Sequence, residues 1–151
     1  MSVYELSSLQ EPQGSAERTP PQDIAAEASV LGAMLLSKDA IADAVEIVRP
    51  EDFYRPAHQM IFEAILEHYA HNSPADAVTI AAELTRRGEL AKVGGAAYLH
   101  TLVAGVPTAA NADYYAGIVR ERAIMRRLVE AGTRIVQMGF AGTGEVDDVV
   151  L

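Results

Sequence analysis

The chain has 151 residues, 12 Lys+Arg against 21 Asp+Glu for a net charge of −9, no Cys and no Trp, with 50% of residues apolar and 22% charged. That length supports one domain, or one domain with an appendage, and is enough to bury a sizeable core. The lack of cysteine excludes a disulfide scaffold, a thiol nucleophile and a Cys-ligated zinc or iron–sulfur site, and the acidic balance argues against a stand-alone module for duplex DNA, which needs cations on phosphate.

No stretch approaches the ~18 apolar residues of a membrane span. Residues 1–22 lack the apolar run of a secretory signal. A soluble, cytoplasmic protein is the expectation. Residues 1–21, with Pro12, Pro20 and Pro21 among Ser, Gln and Glu, read as a flexible tail, because so little apolar surface cannot offset the entropy of ordering.

From Asp23 the pattern is helical. Asp23 caps a first helix that places Ile24, Ala28, Leu31 and Leu35 on one stripe, with Ser37 near its end. A second helix is predicted over 38–48, carrying Ile41, Val45 and Val48 and stopped by Pro50. The turn through Asp52 returns the aromatic pair Phe53 and Tyr54 to the core. Pro56 suits the first turn of a third helix that buries Ile61, Phe62, Ile65, Leu66 and Tyr69. Thr79 is predicted to cap a helix over 80–87, with Gly88 as its stop. Gly94 and Gly95 open a short helix bearing Tyr98, Leu99 and Leu102, which Gly105 and Pro107 close. A long helix follows over 111–139, with no proline and only Gly117 and Gly132 as weak points. No strand signal survives, and the fold class is all-α. Four segments result: the tail at 1–21, a globular helical domain at 22–106, the long helix at 107–140, and at 141–151 a linker with the start of a further helix. Acidic Glu145, Asp147 and Asp148 beside Val149, Val150 and Leu151 look like a first helical turn, so the sequence reads as a fragment of a longer protein.

The long helix is the most informative element. At about 100° per residue, Ile118, Met125, Val129 and Val136 share one line and Ile124, Leu128, Ala131, Ile135 and Met138 fill the sector beside it. Together they cover about half the circumference, more than the ~100° stripe of a helix packed on one side. One sector can pack on the domain; the other needs a second surface. A following helix of the same chain or a neighbouring subunit supplies it, and the two readings are not exclusive. Arg120, Arg127 and Arg134 recur every seven residues on the opposite side, with Arg126 beside them. The helix holds five of the ten arginines, so that face is expected to be open to partners or solvent.

Sites for chemistry are sparse. There is no G-x-x-x-x-G-K-[ST] phosphate loop, so no nucleotide is expected to bind or be hydrolysed here. His68 and His71 have the i, i+3 spacing of a metal pair but lack accompanying ligands, and two exposed histidines at a helix C-terminus is the ordinary reading. No serine sits in a G-x-S-x-G elbow. Asp52 reads as a turn cap in preference to a buried carboxylate. No catalytic, cofactor or metal residue is assigned.

Four segments in order, Glu27 to Leu36, Asp52 to Phe62, Gly94 to Leu99 and Asn111 to Arg120, resemble the N-terminal domain of bacterial DnaB-type replicative helicases. The match covers about 21–140 in the family's order and spacing. The resemblance implies a compact helical domain followed by a helical hairpin, here truncated after its first arm. It implies pairing through hairpins, a collar of three pairs on a hexameric ring, docking of primase, and a separate motor domain that uses ATP and Mg²⁺ to translocate on single-stranded DNA. The expectation is therefore a non-catalytic assembly and primase-docking domain. Ile118, Met125, Leu128, Val129, Ile135 and Val136 are assigned to hairpin and subunit packing, and Arg120, Arg127 and Arg134 to a face available to partners. The alternative is a small helical DNA-binding or regulatory domain that sets its arginine helix on phosphates.

Overall fold

The computed structural model describes residues 18–142, and every regular element among them is helical. Seven α-helices follow in order: α1 Ile24–Leu36, α2 Lys38–Val45, α3 Pro56–Ala70, α4 Ala77–Arg86, α5 Leu90–Val93, α6 Gly95–Ala104 and α7 Ala112–Ala141. Single 3-10 turns occupy Pro50–Asp52 and Ala109–Asn111. This matches the expected all-α fold of short helices followed by a long one. Positions 1–17 of the expected tail, and positions 143–151 of the expected linker and second hairpin arm, lie outside the described residues.

α1 is the axis of the body. The Asp23 carboxylate starts it by accepting the Ala26 N–H at 2.9 Å. Ala26, Glu27, Val30, Leu31, Gly32, Ala33, Met34 and Leu35 are all buried. They run right round the helix, so α1 needs neighbours on every side, and α2, α3, α6 and α7 supply them. Gly32 marks the closest approach: a Cβ there would collide with the Leu102 carbonyl oxygen and the Val106 side chain at the end of α6. The core is completed by Phe53, whose ring lies 4.9 Å from that of Phe62, and by Ile61, Ile65, Ile80, Leu84 and Leu99, all fully buried.

Local expectations are corrected in four places. α2 ends at Val45, three residues early, although Val48 is still buried. Of the aromatic pair only Phe53 reaches the core, while Tyr54 is exposed and lies under the Arg126 guanidinium at 5.5 Å. α4 is capped by Asp76 and not by Thr79: the Asp76 carboxylate accepts the Thr79 N–H at 2.8 Å and the Thr79 hydroxyl accepts the Asp76 N–H at 2.9 Å, a reciprocal cap that satisfies two orphan donors. The single turn α5 was not expected at all; four residues are too few to show a helical period.

Candidate functional site

α7 is a continuous helix of 30 residues. Nothing in it breaks the hydrogen-bond ladder until Gly142, which adopts the left-handed conformation (φ 56°) and donates its N–H to the Met138 carbonyl at 3.2 Å. Its seat on the body is built from small residues. Ala112, Ala116, Val119 and Ala123 are buried, at the i, i+4, i+7, i+11 spacing of one face, and they let α7 lie close against α1 and α2. Beyond Ala123 none of its described residues is buried.

The face that meets the body is the arginine face. Arg120 donates from Nη1 to Asp52 Oδ1 at 3.3 Å and Arg127 donates from Nη2 to the same oxygen at 2.5 Å. Arg126 donates to the Asp52 carbonyl at 2.6 Å and to the Pro21 carbonyl at 2.8 Å. Arg120 and Arg127, expected on a face available to partners, are thus also tied to the body, while their side chains stay partly exposed. The wheel correctly opposes arginines to large apolar residues, and the chain sets the arginine side of α7 along the body. The physical reason is Asp52, a carboxylate with no exposed surface, which needs cationic donors to be tolerated there. Asp52 is thus both the turn cap, accepting the Arg49 N–H at 2.9 Å, and the buried carboxylate. Arg134 is exposed and makes no ion pair among the described residues.

The outward face is therefore the apolar one. Leu128 is 67% exposed and Val129, Met125 and Val136 more than half, with Ile124, Ile135 and Met138 close behind. Ile118 differs, being partly buried against the core. A single exposed leucine needs no explanation, but a contiguous apolar strip along one helix does. Each such side chain gains about 1.5–3 kcal/mol when a surface covers it.

A second buried polar group links α1, α3 and α6, and sequence reasoning missed it. Glu27 accepts the Tyr54 N–H at 2.8 Å and the Arg55 N–H at 3.4 Å, so it caps the start of α3 from another helix. It also bonds His58 Nδ1 at 2.8 Å, and His58 Nε2 shares a 2.6 Å hydrogen bond with the Tyr98 hydroxyl. Burial pushes the Tyr98 hydroxyl above its ordinary pKa, with the Glu27 charge adding and the Arg55 guanidinium opposing. Both His58 nitrogens are engaged and the ring has no exposed surface. The group resembles a base with its orienting carboxylate, yet it offers no side to a substrate and ties three helices together. The signal available in the sequence was a lone glutamate inside an otherwise apolar helix.

The histidine pair weighed as a metal site is engaged otherwise. His68 Nδ1 bonds the Pro74 carbonyl and His71 Nδ1 the Glu67 carbonyl, each at 2.8 Å. No group of three or more metal-ligating side chains occurs among the described residues, and none of their helices is long and apolar enough to cross a membrane.

Comparison with known proteins gives a consistent result. The model of the DnaB-like helicase N-terminal domain matches residues 19–121. The replicative DNA helicase DnaB of Mycobacterium leprae (strain TN) is 68% identical over 130 residues, 86% of this chain; the chain spans 22% of that relative's length. The crystal structure of the N-terminal domain of DnaB helicase from Mycobacterium tuberculosis aligns with a TM-score of 0.85 at 66% identity, covering 87% of this chain and 92% of that one. A DnaB-like replicative helicase whose structure was determined together with its interactions with primase aligns at a TM-score of 0.66 and 25% identity. That alignment covers 76% of this chain and 27% of the other.

Proposed function

Because the chain belongs to the family of DnaB-like helicase N-terminal domains, we propose that it is the assembly and primase-docking part of a replicative helicase and performs no catalysis itself. The observation that carries this reading is the outward apolar face of α7. The face lies on the opposite side from the body, and its seven large residues, Ile124 to Met138, are each more than two-fifths exposed. A face of that kind is built to be covered, and a second copy of the chain is the proposed cover, with pairs gathering into a hexameric ring in the whole protein. Primase is the second proposed partner, supported by the similar helicase characterised together with primase. The ATP and Mg²⁺ chemistry and the single-stranded DNA track are assigned to a motor domain beyond these residues, and the whole protein to the cytoplasm. The alternative, an arginine helix laid on phosphates, loses support because Arg120, Arg126 and Arg127 are engaged with Asp52 and Pro21.

The test is molar mass by light scattering across a concentration series. Association costs roughly 4–15 kcal/mol, of which several apolar side chains at about 1.5–3 kcal/mol each offset a part. A concentration-dependent equilibrium is expected. Val129→Glu shifts it to monomer by stranding a carboxylate in an apolar contact, while Gln137→Glu, at an exposed polar position of the same helix, leaves it unchanged. A monomer at every concentration, or equal behaviour of the two variants, refutes the assembly role.

A further inference from the structure

We propose that Asp52 is a positioning residue, a clasp that fixes how far α7 is held to the body and so the direction in which its outer half projects. The proposal stands whether or not α7 self-associates. Three observations carry it. First, the apolar hold on α7 ends early: three alanines and one valine are buried, with Tyr115 and Ile118 partly so, and the last buried residue is Ala123. Second, Asp52 is placed independently of α7. Its Oδ2 accepts the Arg49 N–H within its own turn, and its neighbour Phe53 is locked in the core. Third, Arg120, Arg126 and Arg127 all converge on this one residue, two on the carboxylate and one on the carbonyl. They bracket Ala123, so the clasp extends the attachment one turn past the last buried side chain.

The arrangement is asymmetric. The Asp52 side chain has no exposed surface, whereas those of Arg120 and Arg127 are 42% and 45% exposed. If the arginines are neutralised, a charge is stranded in the interior. If the aspartate is neutralised, the arginines are released to water, where their charge is readily solvated. A residue of mere packing value would not distinguish these two cuts.

The test uses the full chain, which has no cysteine of its own. Spin labels at Glu63→Cys on α3 and Thr133→Cys on α7, both exposed, report the angle between body and helix. Excess unlabelled chain suppresses signals between copies. The distance distribution is expected to be narrow in the parent and markedly broader in Asp52→Asn, which keeps an acceptor for the Arg49 N–H. The thermal midpoint of Asp52→Asn is expected to stay close to that of the parent. Arg120→Gln with Arg127→Gln lowers the midpoint further than Asp52→Asn does, and adding Asp52→Asn to that pair restores part of the loss. Equal distance widths, unfolding of Asp52→Asn, or a triple variant no more stable than the arginine pair would each overturn the proposal.

Discussion

α1 and the outer half of α7 are both rich in large apolar residues and have opposite fates. In α1, Val30, Leu31 and Met34 are essentially inaccessible because four other helices surround them. In α7, Leu128, Val129, Ile135 and Val136 stand in the open. The composition of a helix thus does not decide whether it is core; the number of surfaces brought to it does. The body meets α7 along the narrow seat of Ala112, Ala116, Val119 and Ala123 and at one buried carboxylate. The rest of its apolar surface is left for something else.

The sharpest way to break this contrast is to truncate a leucine in each helix. Leu31→Ala is expected to cost about 2–5 kcal/mol, the transfer loss plus an incompletely collapsed cavity. Leu128→Ala is expected to change folding by no more than about 0.5 kcal/mol, as for an exposed site, and to weaken association instead. Denaturant unfolding at low protein concentration measures the first effect, and light scattering the second. Comparable unfolding losses at both sites would mean that Leu128 is buried in solution.

Glycines sharpen the comparison. Gly32→Ala places a methyl group against the Leu102 carbonyl, a backbone atom that cannot swing away. Overpacking of this kind typically costs about 1–3 kcal/mol and here should reach the upper part of that range. At Gly132 nothing lies within 4 Å of an added Cβ, so Gly132→Ala should gain roughly 0.5–1 kcal/mol from helix propensity alone. Opposite signs in paired thermal melts are the expected outcome. A destabilising Gly132→Ala would show that a neighbour already approaches that point.

The same contrast explains what was legible in the sequence. Stops and caps acting within a few residues, such as Asp23, Pro50, Pro56 and Gly94, are local chemistry, and the helices they bound lie close to where they were expected. Orientation is not local. Large residues dominate any helical wheel, yet Ala112, Ala116 and Ala123 form the seat, because close approach to α1 and α2 needs small side chains. The decisive partner of Arg127 is Asp52, 75 residues away in sequence. Likewise Glu27, His58 and Tyr98 meet across separations of 31 and 40 residues, and no spacing rule joins them. At the edge of α4, Asp76 and Thr79 cap each other, so a single-residue signal picked the wrong member of the pair.

The smallest expected effect belongs to that same edge of the body, where α3 meets α4. The Arg86 and Arg87 guanidinium groups beside Glu83 hold its carboxyl at about 2, against an ordinary 4.5. Hydrogen bonding to Thr79, chiefly from its backbone N–H, lowers Asp76 as well. A carboxyl whose folded pKa is depressed contributes stability that is fully present above its unfolded value and is lost as pH falls through its folded one. The body should therefore lose a small increment between about pH 4.5 and 2. The Arg86 side chain that pairs with Glu83 is 66% exposed, so salt screens the contribution and the increment should shrink as ionic strength rises. Thermal midpoints measured from neutral pH downward are expected to fall less steeply in Glu83→Gln than in the parent, with the difference reduced by added salt. Identical acid limbs in the two proteins would mean that the Arg86 and Arg87 contacts to Glu83 do not persist in solution.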